Sequence, residues 1–231
     1  MFKVVIQFAS ILVVIVIYFH KLNPFSPKKT PVEKKQTYSL WGKVIVAIIP
    51  AGVAGVFLDD LVDNVLSSSL VIAATLIIYG IAFIWVERQG KKPKTNTLEE
   101  LSYKTAFFIG LFQVLSLVPG TSRSGSTILG AIIVGCSRFV GTEFSFFMAV
   151  PVMFGASGLK LVKFLAKGAV INTTEWAVMI TGFVVTFFVS VCAIKFLIGY
   201  IKKHDFKPFG IYRIILGIIV IIAVATNFLP M

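Results

Sequence analysis

The stretch Pro119-Gly120-Thr121-Ser122-Arg123-Ser124-Gly125-Ser126-Thr127 is polar, yet it lies between two apolar runs, residues 106–118 and 128–135. Each run is shorter than the roughly 20 residues that a straight membrane crossing takes. A hydrophilic break between two short apolar helices fits a re-entrant hairpin that dips into a bilayer and returns to the same face. Such a backbone is tolerated at membrane depth only where protein buries it or it lines a cavity.

The rest of the chain has to be membrane-embedded for this to hold, and its composition says so. Of the 231 residues, 57% are apolar and 14% charged, and mean hydropathy is +0.93. Soluble domains run about 45–50% apolar and about 25% charged. A soluble enzyme and a disordered tail are both excluded. The net charge of +12 falls in gaps between apolar runs, as the positive-inside rule expects for cytoplasmic loops. No basic stripe is interleaved with aromatics, so nucleic acid is not an expected partner. Cys136 and Cys192 have no metal-ligand spacing and read as packing residues. His20 and His204 stand at segment ends. No metal site is expected.

Working outward from the break, the apolar runs are residues 2–19, 44–58, 70–86, 144–159, 176–197 and 211–228. No small-residue cleavage site follows the first, so it reads as a spanning helix rather than a signal peptide. The gaps 21–43, 87–104 and 202–207 are lysine-rich and are assigned to the cytoplasm. Residues 160–175 must then lie outside despite Lys160, Lys163 and Lys167. Asp59, Asp60 and Asp63 suit the outer face, as a solvated cluster or a loose calcium or magnesium site. Trp41, Trp85 and Trp176 read as interfacial anchors. Arg213, opening the last run, is expected to snorkel to the inner surface, the alternative being that it reaches the site.

The orientations of the first three helices are opposite to those of the last three, an inverted-topology repeat. The expected fold is an all-α integral membrane protein with about six transmembrane helices and one re-entrant hairpin. Residues 1–231 form one domain, with a first repeat at about 1–90 and a second at about 105–231. The hairpin precedes the second triplet only, so the chain reads as one hairpin short.

The break also reads as chemistry. An arginine at membrane depth costs about 3 kcal/mol on the mildest scale, so its default reading is functional. Pro119 and Gly120 stop one helix, and Ser122 or Ser124 can cap the next, expected to start near Gly125. That N-terminus offers free N–H groups and a positive dipole end. Arg123 adds a forked donor for phosphate oxygens. Ser122, Ser124, Ser126 and Thr127 add hydroxyls. The set reads as a phosphate cradle, with Arg123, Ser122 and Ser124 as catalytic candidates. Gly120, Thr121, Gly125, Ser126, Thr127 and Gln113 are substrate-binding candidates. Arg123 could instead pair with a buried acid and pin the hairpin, the serines could be plain caps, and Gln113 could be glue between helices.

The pattern Pro-Gly-x-Ser-Arg-Ser-x-x-Thr resembles the second signature of the undecaprenyl-diphosphate phosphatase, or bacitracin-resistance, family. Phe2-Lys3-Val4-Val5-Ile6-Gln7, Ser137-Arg138 with Glu143-Phe144-Ser145-Phe146, Ala149-Val150-Pro151 and Ile211-Tyr212-Arg213 are similar to family segments in the same order. The resemblance implies hydrolysis of a polyprenyl diphosphate at a bacterial cell membrane, recycling the lipid carrier of cell-wall synthesis. A divalent cation, magnesium or calcium, could accompany the diphosphate. The resemblance also implies an upstream signature, a Glu-rich stretch and a Ser-Ser-Thr-Gly-His-like loop, expected to supply acid/base and nucleophile candidates. It lies ahead of the residues matching Phe2 onward, and these 231 residues do not contain it. The alternatives are a truncated, inactive relative, or a transporter or flippase of a phosphorylated lipid.

Overall fold

The computed structural model describes residues 1–61, 68–166 and 172–228. The described residues form an all-α integral membrane protein, with nine α-helices: α1 (Phe2–Ile17), α2 (Phe19–Leu22), α3 (Pro31–Leu61), α4 (Ser69–Arg88), α5 (Tyr103–Val114), α6 (Arg123–Ile133), α7 (Arg138–Ala166), α8 (Thr173–Ile201) and α9 (Lys207–Ala225). Five of them, α3, α4, α7, α8 and α9, are long and apolar enough to cross a membrane. The 16 residues of α1 reach about 24 Å at 1.5 Å each, and α2 follows after Tyr18 alone.

Two helices start earlier than the apolar runs imply. Residues 31–43, expected to be loop, belong to α3. The reason is a capping box, Thr30-Pro31-Val32-Glu33. The Thr30 N–H donates to Glu33 Oε2 at 2.7 Å and the Glu33 N–H to Thr30 Oγ1 at 3.3 Å, with Pro31 at the first helical position. The helix expected from about Val44 is therefore not short. Likewise α7 begins at Arg138 rather than near Phe144. The start of α8 carries the same device, with Glu175 N–H donating to Asn172 Oδ1 at 2.8 Å and Asn172 N–H to Glu175 Oε2 at 2.9 Å. Asp63, Lys167 and the side chains of Asp59 and Asp60 lie outside the described residues.

The chain divides into two compact units, residues 1–41 with 146–200, and residues 42–145 with 201–231. In the first, Tyr18 meets Phe147 edge-on at 5.0 Å and Phe8 meets Phe154 edge-on at 5.0 Å. Trp41, expected at an interface, lies well inside α3, and its Nε1–H donates to the Leu22 carbonyl at 2.8 Å. Lys29, expected in an exposed loop, is buried; its ammonium donates to Thr37 Oγ1 at 2.6 Å and the Lys21 carbonyl at 3.3 Å.

The second unit holds the polar break. Here α4 and α9 pack backbone to backbone: a Cβ on Gly80 would stand 2.6 Å from the Gly210 carbonyl oxygen. The hairpin α5–α6 turns at Leu115–Leu117, one turn of 3₁₀ helix, and the break. At the other end of α6, Lys94 and Thr95 donate backbone N–H groups to the Gly135 carbonyl at 2.7 and 3.1 Å, and Ser137 N–H donates to the Thr95 carbonyl at 2.9 Å. Lys43, expected at a loop end, is buried and donates to the carbonyls of Leu98 and Glu99 at 3.0 and 3.2 Å. Arg138 grips Glu87 through Nε and Nη2, and Glu87 also accepts the Phe206 N–H at 3.2 Å. Cys136 is buried, as expected of a packing residue, whereas Cys192 is exposed.

Candidate active site

The break is fixed before it can bind anything. Gly120 has φ of +83°, a left-handed backbone that side chains disfavour. It is also pressed onto α4, where a Cβ would stand 2.3 Å from Thr75 Oγ1 and 2.8 Å from the Ile72 backbone. Thr75 Oγ1 donates to the Pro119 carbonyl at 2.9 Å. A chain reversal pinned to α4 on one side then delivers residues 121–123 into a new helix.

That helix starts at Arg123, two residues before the expected Gly125, because Ser122 takes the cap position. Ser122 Oγ accepts the Gly125 N–H at 3.2 Å and lies 3.2 Å from Ser124 Oγ. The cap satisfies one of the free N–H groups of the first turn; the others remain available to an anion. Arg123 is thus the first residue of α6, where its charge adds to the positive dipole end.

The candidate hydroxyls fall into two groups. Ser122, Arg123, Ser124 and Gly125 are half-buried, whereas Thr121, Ser126 and Thr127 are buried. Thr127 Oγ1 lies 2.6 Å from Ser145 Oγ on α7 and 3.1 Å from the carbonyls of Arg123 and Ser124. Ser126 Oγ is 3.5 Å from the Ser122 carbonyl. Thr127 ties the buried side of the first turn of α6 to α7, and Ser122, Arg123, Ser124 and Gly125 keep partial exposure on that turn. Gln113, on α5, is buried; its Oε1 has no hydrogen-bond partner among the described residues.

Arg213 is where sequence reasoning went astray. It does not snorkel away from the break. Its Nη2 donates to the Gly120 carbonyl at 3.0 Å, and its guanidinium carbon lies 5.6 Å from the centre of the Tyr79 ring. The Tyr79 hydroxyl is buried, with no hydrogen-bond partner among the described residues. The available signal was the one applied to Arg123: a lone arginine in an apolar run. Its partner Tyr79 carried none, since only the α4–α9 contact brings it there. Among the described residues, no three His, Cys, Asp or Glu side chains are grouped to hold a metal ion.

The family profile described as "Bacitracin resistance protein BacA" matches residues 1–219. The chain is 56% identical over 223 residues to a protein named undecaprenyl-diphosphatase from Enterococcus faecalis, covering 96% of this chain and 81% of that one. The same identity and coverage relate it to the undecaprenyl-diphosphatase of Lactiplantibacillus plantarum. With undecaprenyl-diphosphatase 1 of Clostridioides difficile it shares 54% identity over 220 residues, 95% of this chain and 79% of that one. A match that runs across both units and through the capped break, at this identity, places the chain in the bacitracin resistance protein BacA family.

Proposed function

We propose that this protein is an undecaprenyl-diphosphatase of a bacterial cell membrane. It hydrolyses undecaprenyl diphosphate to undecaprenyl phosphate and inorganic phosphate, returning the lipid carrier to cell-wall synthesis and conferring bacitracin resistance. The observation that carries the reading is the helix start at Ser122-Arg123, a capped N-terminus with an arginine at its first position, following the apolar helix α5. A phosphate carried on a lipid, or led in through a channel, would reach such a place.

Water attacks the terminal phosphorus and gives up a proton to solvent, the bond to the bridging oxygen breaks, and that oxygen leaves with its electron pair as part of undecaprenyl phosphate. Phosphoryl transfer is chiefly positioning and charge neutralisation. Arg123 opposes the charge on the transferring group, and the free N–H groups of the first turn of α6 do the same from fixed positions. Ser122 and Ser124 orient phosphate oxygens; Gly120, Thr121, Gly125, Ser126, Thr127 and Gln113 hold or line the cradle. A magnesium or calcium ion would arrive with the diphosphate. No described carboxylate grouping fits it, and no step is assigned to it.

The test is phosphate release from undecaprenyl diphosphate by the purified full chain in detergent. Release supports the proposal. Uptake of the lipid across sealed vesicles without release would replace it with a carrier.

A further inference from the structure

We propose that Arg213, backed by the Tyr79 ring, is a substrate-binding residue that holds the second phosphoryl group of the diphosphate and so favours diphosphates over monophosphates. This rests on the phosphatase reading above and adds to it a residue, a subsite and a selectivity.

Two arginines of the same unit are built differently. Arg138 is a structural arginine with a counter-charge: its fork closes on Glu87, whose side chain is 3% exposed. Arg213 has no carboxylate within ion-pair reach among the described residues. Its hydrogen bond goes to a neutral carbonyl, that of Gly120. Its Nε is buried without a hydrogen-bond partner among the described residues. A guanidinium set into an apolar bundle against one neutral acceptor and an aromatic face is an incompletely compensated cation. The natural complement is an anion.

The position says which anion. Arg213 Nη1 lies 3.6 Å from the point where a Cβ on Gly125 would stand, so it flanks the first turn of α6. Arg123 opens that turn. A terminal diphosphate carries about two to three negative charges near neutral pH, and a monophosphate about one to two. One guanidinium at the helix start matches a monophosphate; two match a diphosphate. The Tyr79 ring backs the second guanidinium at 5.6 Å, and the bond to Gly120 ties it to the break. After cleavage the monophosphate products bind less well to the pair, which favours their release.

The experiment uses the full chain in detergent and reads binding as well as turnover. Inorganic pyrophosphate and orthophosphate are titrated as competitors of undecaprenyl diphosphate hydrolysis and, separately, as ligands in thermal shift. Arg213→Gln is expected to weaken pyrophosphate about 10- to 100-fold, the range of a lost charge-assisted hydrogen bond, with orthophosphate affected less than about threefold. KM for the lipid rises, and Arg213→Lys recovers part of the loss. Equal weakening of both anions, or no change in either beside a lowered Tm, overturns the proposal. Should Arg213→Gln fail to fold, Tyr79→Leu answers the same question. It leaves the guanidinium in place without its backing, and the pyrophosphate-to-phosphate preference must shrink for the proposal to stand. Absence of hydrolysis by the unaltered chain would instead sink the phosphatase reading, while the thermal-shift preference still reports on Arg213.

Discussion

At the scale of single residues, Arg123 and Cys136 lead to opposite expectations although both are set among apolar side chains. Arg123 is placed at the first position of a capped helix, where its charge adds to the positive dipole end. Arg123→Ala is expected to lower kcat/KM for undecaprenyl diphosphate by at least about a hundredfold, while membrane insertion and Tm stay near those of the parent. Retention of more than about a tenth of the activity would refute the charge-neutralising role. Cys136 sits in the turn between α6 and α7, where burial pushes its thiol up to about 11. A raised thiol is neutral below that value, and the thiolate is the reactive form. At pH 8 its maleimide labelling is expected to run on the order of a hundredfold slower than that of an ordinary cysteine with a value near 8.5, and to recover on denaturation. Labelling of the native protein at the ordinary rate would show that the turn is open. The break and Arg123 were legible because polarity inside an apolar region has few explanations. The split between half-buried and buried hydroxyls was not: it depends on Ser145 facing Thr127 from another helix, a tertiary fact.

At the scale of elements, Glu87 joins the end of α4, the start of α7 and the turn before α9 by accepting from Arg138 and from the Phe206 N–H. Its side chain is 3% exposed against 43% for Arg138. Removing the arginine strands a buried carboxylate; removing both leaves little to desolvate. Arg138→Met is therefore expected to cost about 2–3 kcal/mol, reduced from the full buried-pair figure because Arg138 is half in solvent. Glu87→Gln combined with Arg138→Met should cost clearly less than the two single changes added together. Strict additivity in thermal unfolding would mean that the pair does not couple. Helix existence was readable from hydropathy, since a run of apolar residues of spanning length leaves the chain few options. Helix starts were misread where charge was given more weight than capping. Thr30-Pro31-Val32-Glu33 and Asn172 with Glu175 were visible in the sequence as caps, yet the lysines and prolines around them made residues 21–43 look like loop.

At the scale of the molecule, loop charge and packing give independent accounts of the second unit, and they agree. Counting lysines assigns residues 87–104 and 202–207 to one face, and the re-entrant hairpin returns the chain to that face ahead of α7. The structure brings the same three segments together, through the Lys94 and Thr95 bonds to Gly135 and through the Arg138–Glu87–Phe206 junction. The positive-inside rule carries no information about contacts, and contacts carry none about a membrane, so their agreement strengthens the topology. The 29 residues of α8 extend about 43 Å, which sets Thr174 at the opposite end from Lys203. In a background without Cys136 and Cys192, Lys92→Cys and Lys203→Cys are expected to react with a membrane-impermeant maleimide in inside-out vesicles and not in intact cells. Thr174→Cys should do the reverse. All three native residues are exposed, so failure to label cannot be ascribed to burial. Labelling of the Lys92→Cys and Lys203→Cys variants from opposite faces would contradict the structure as well as the charge rule, because the segments that carry these positions are tied together through Glu87.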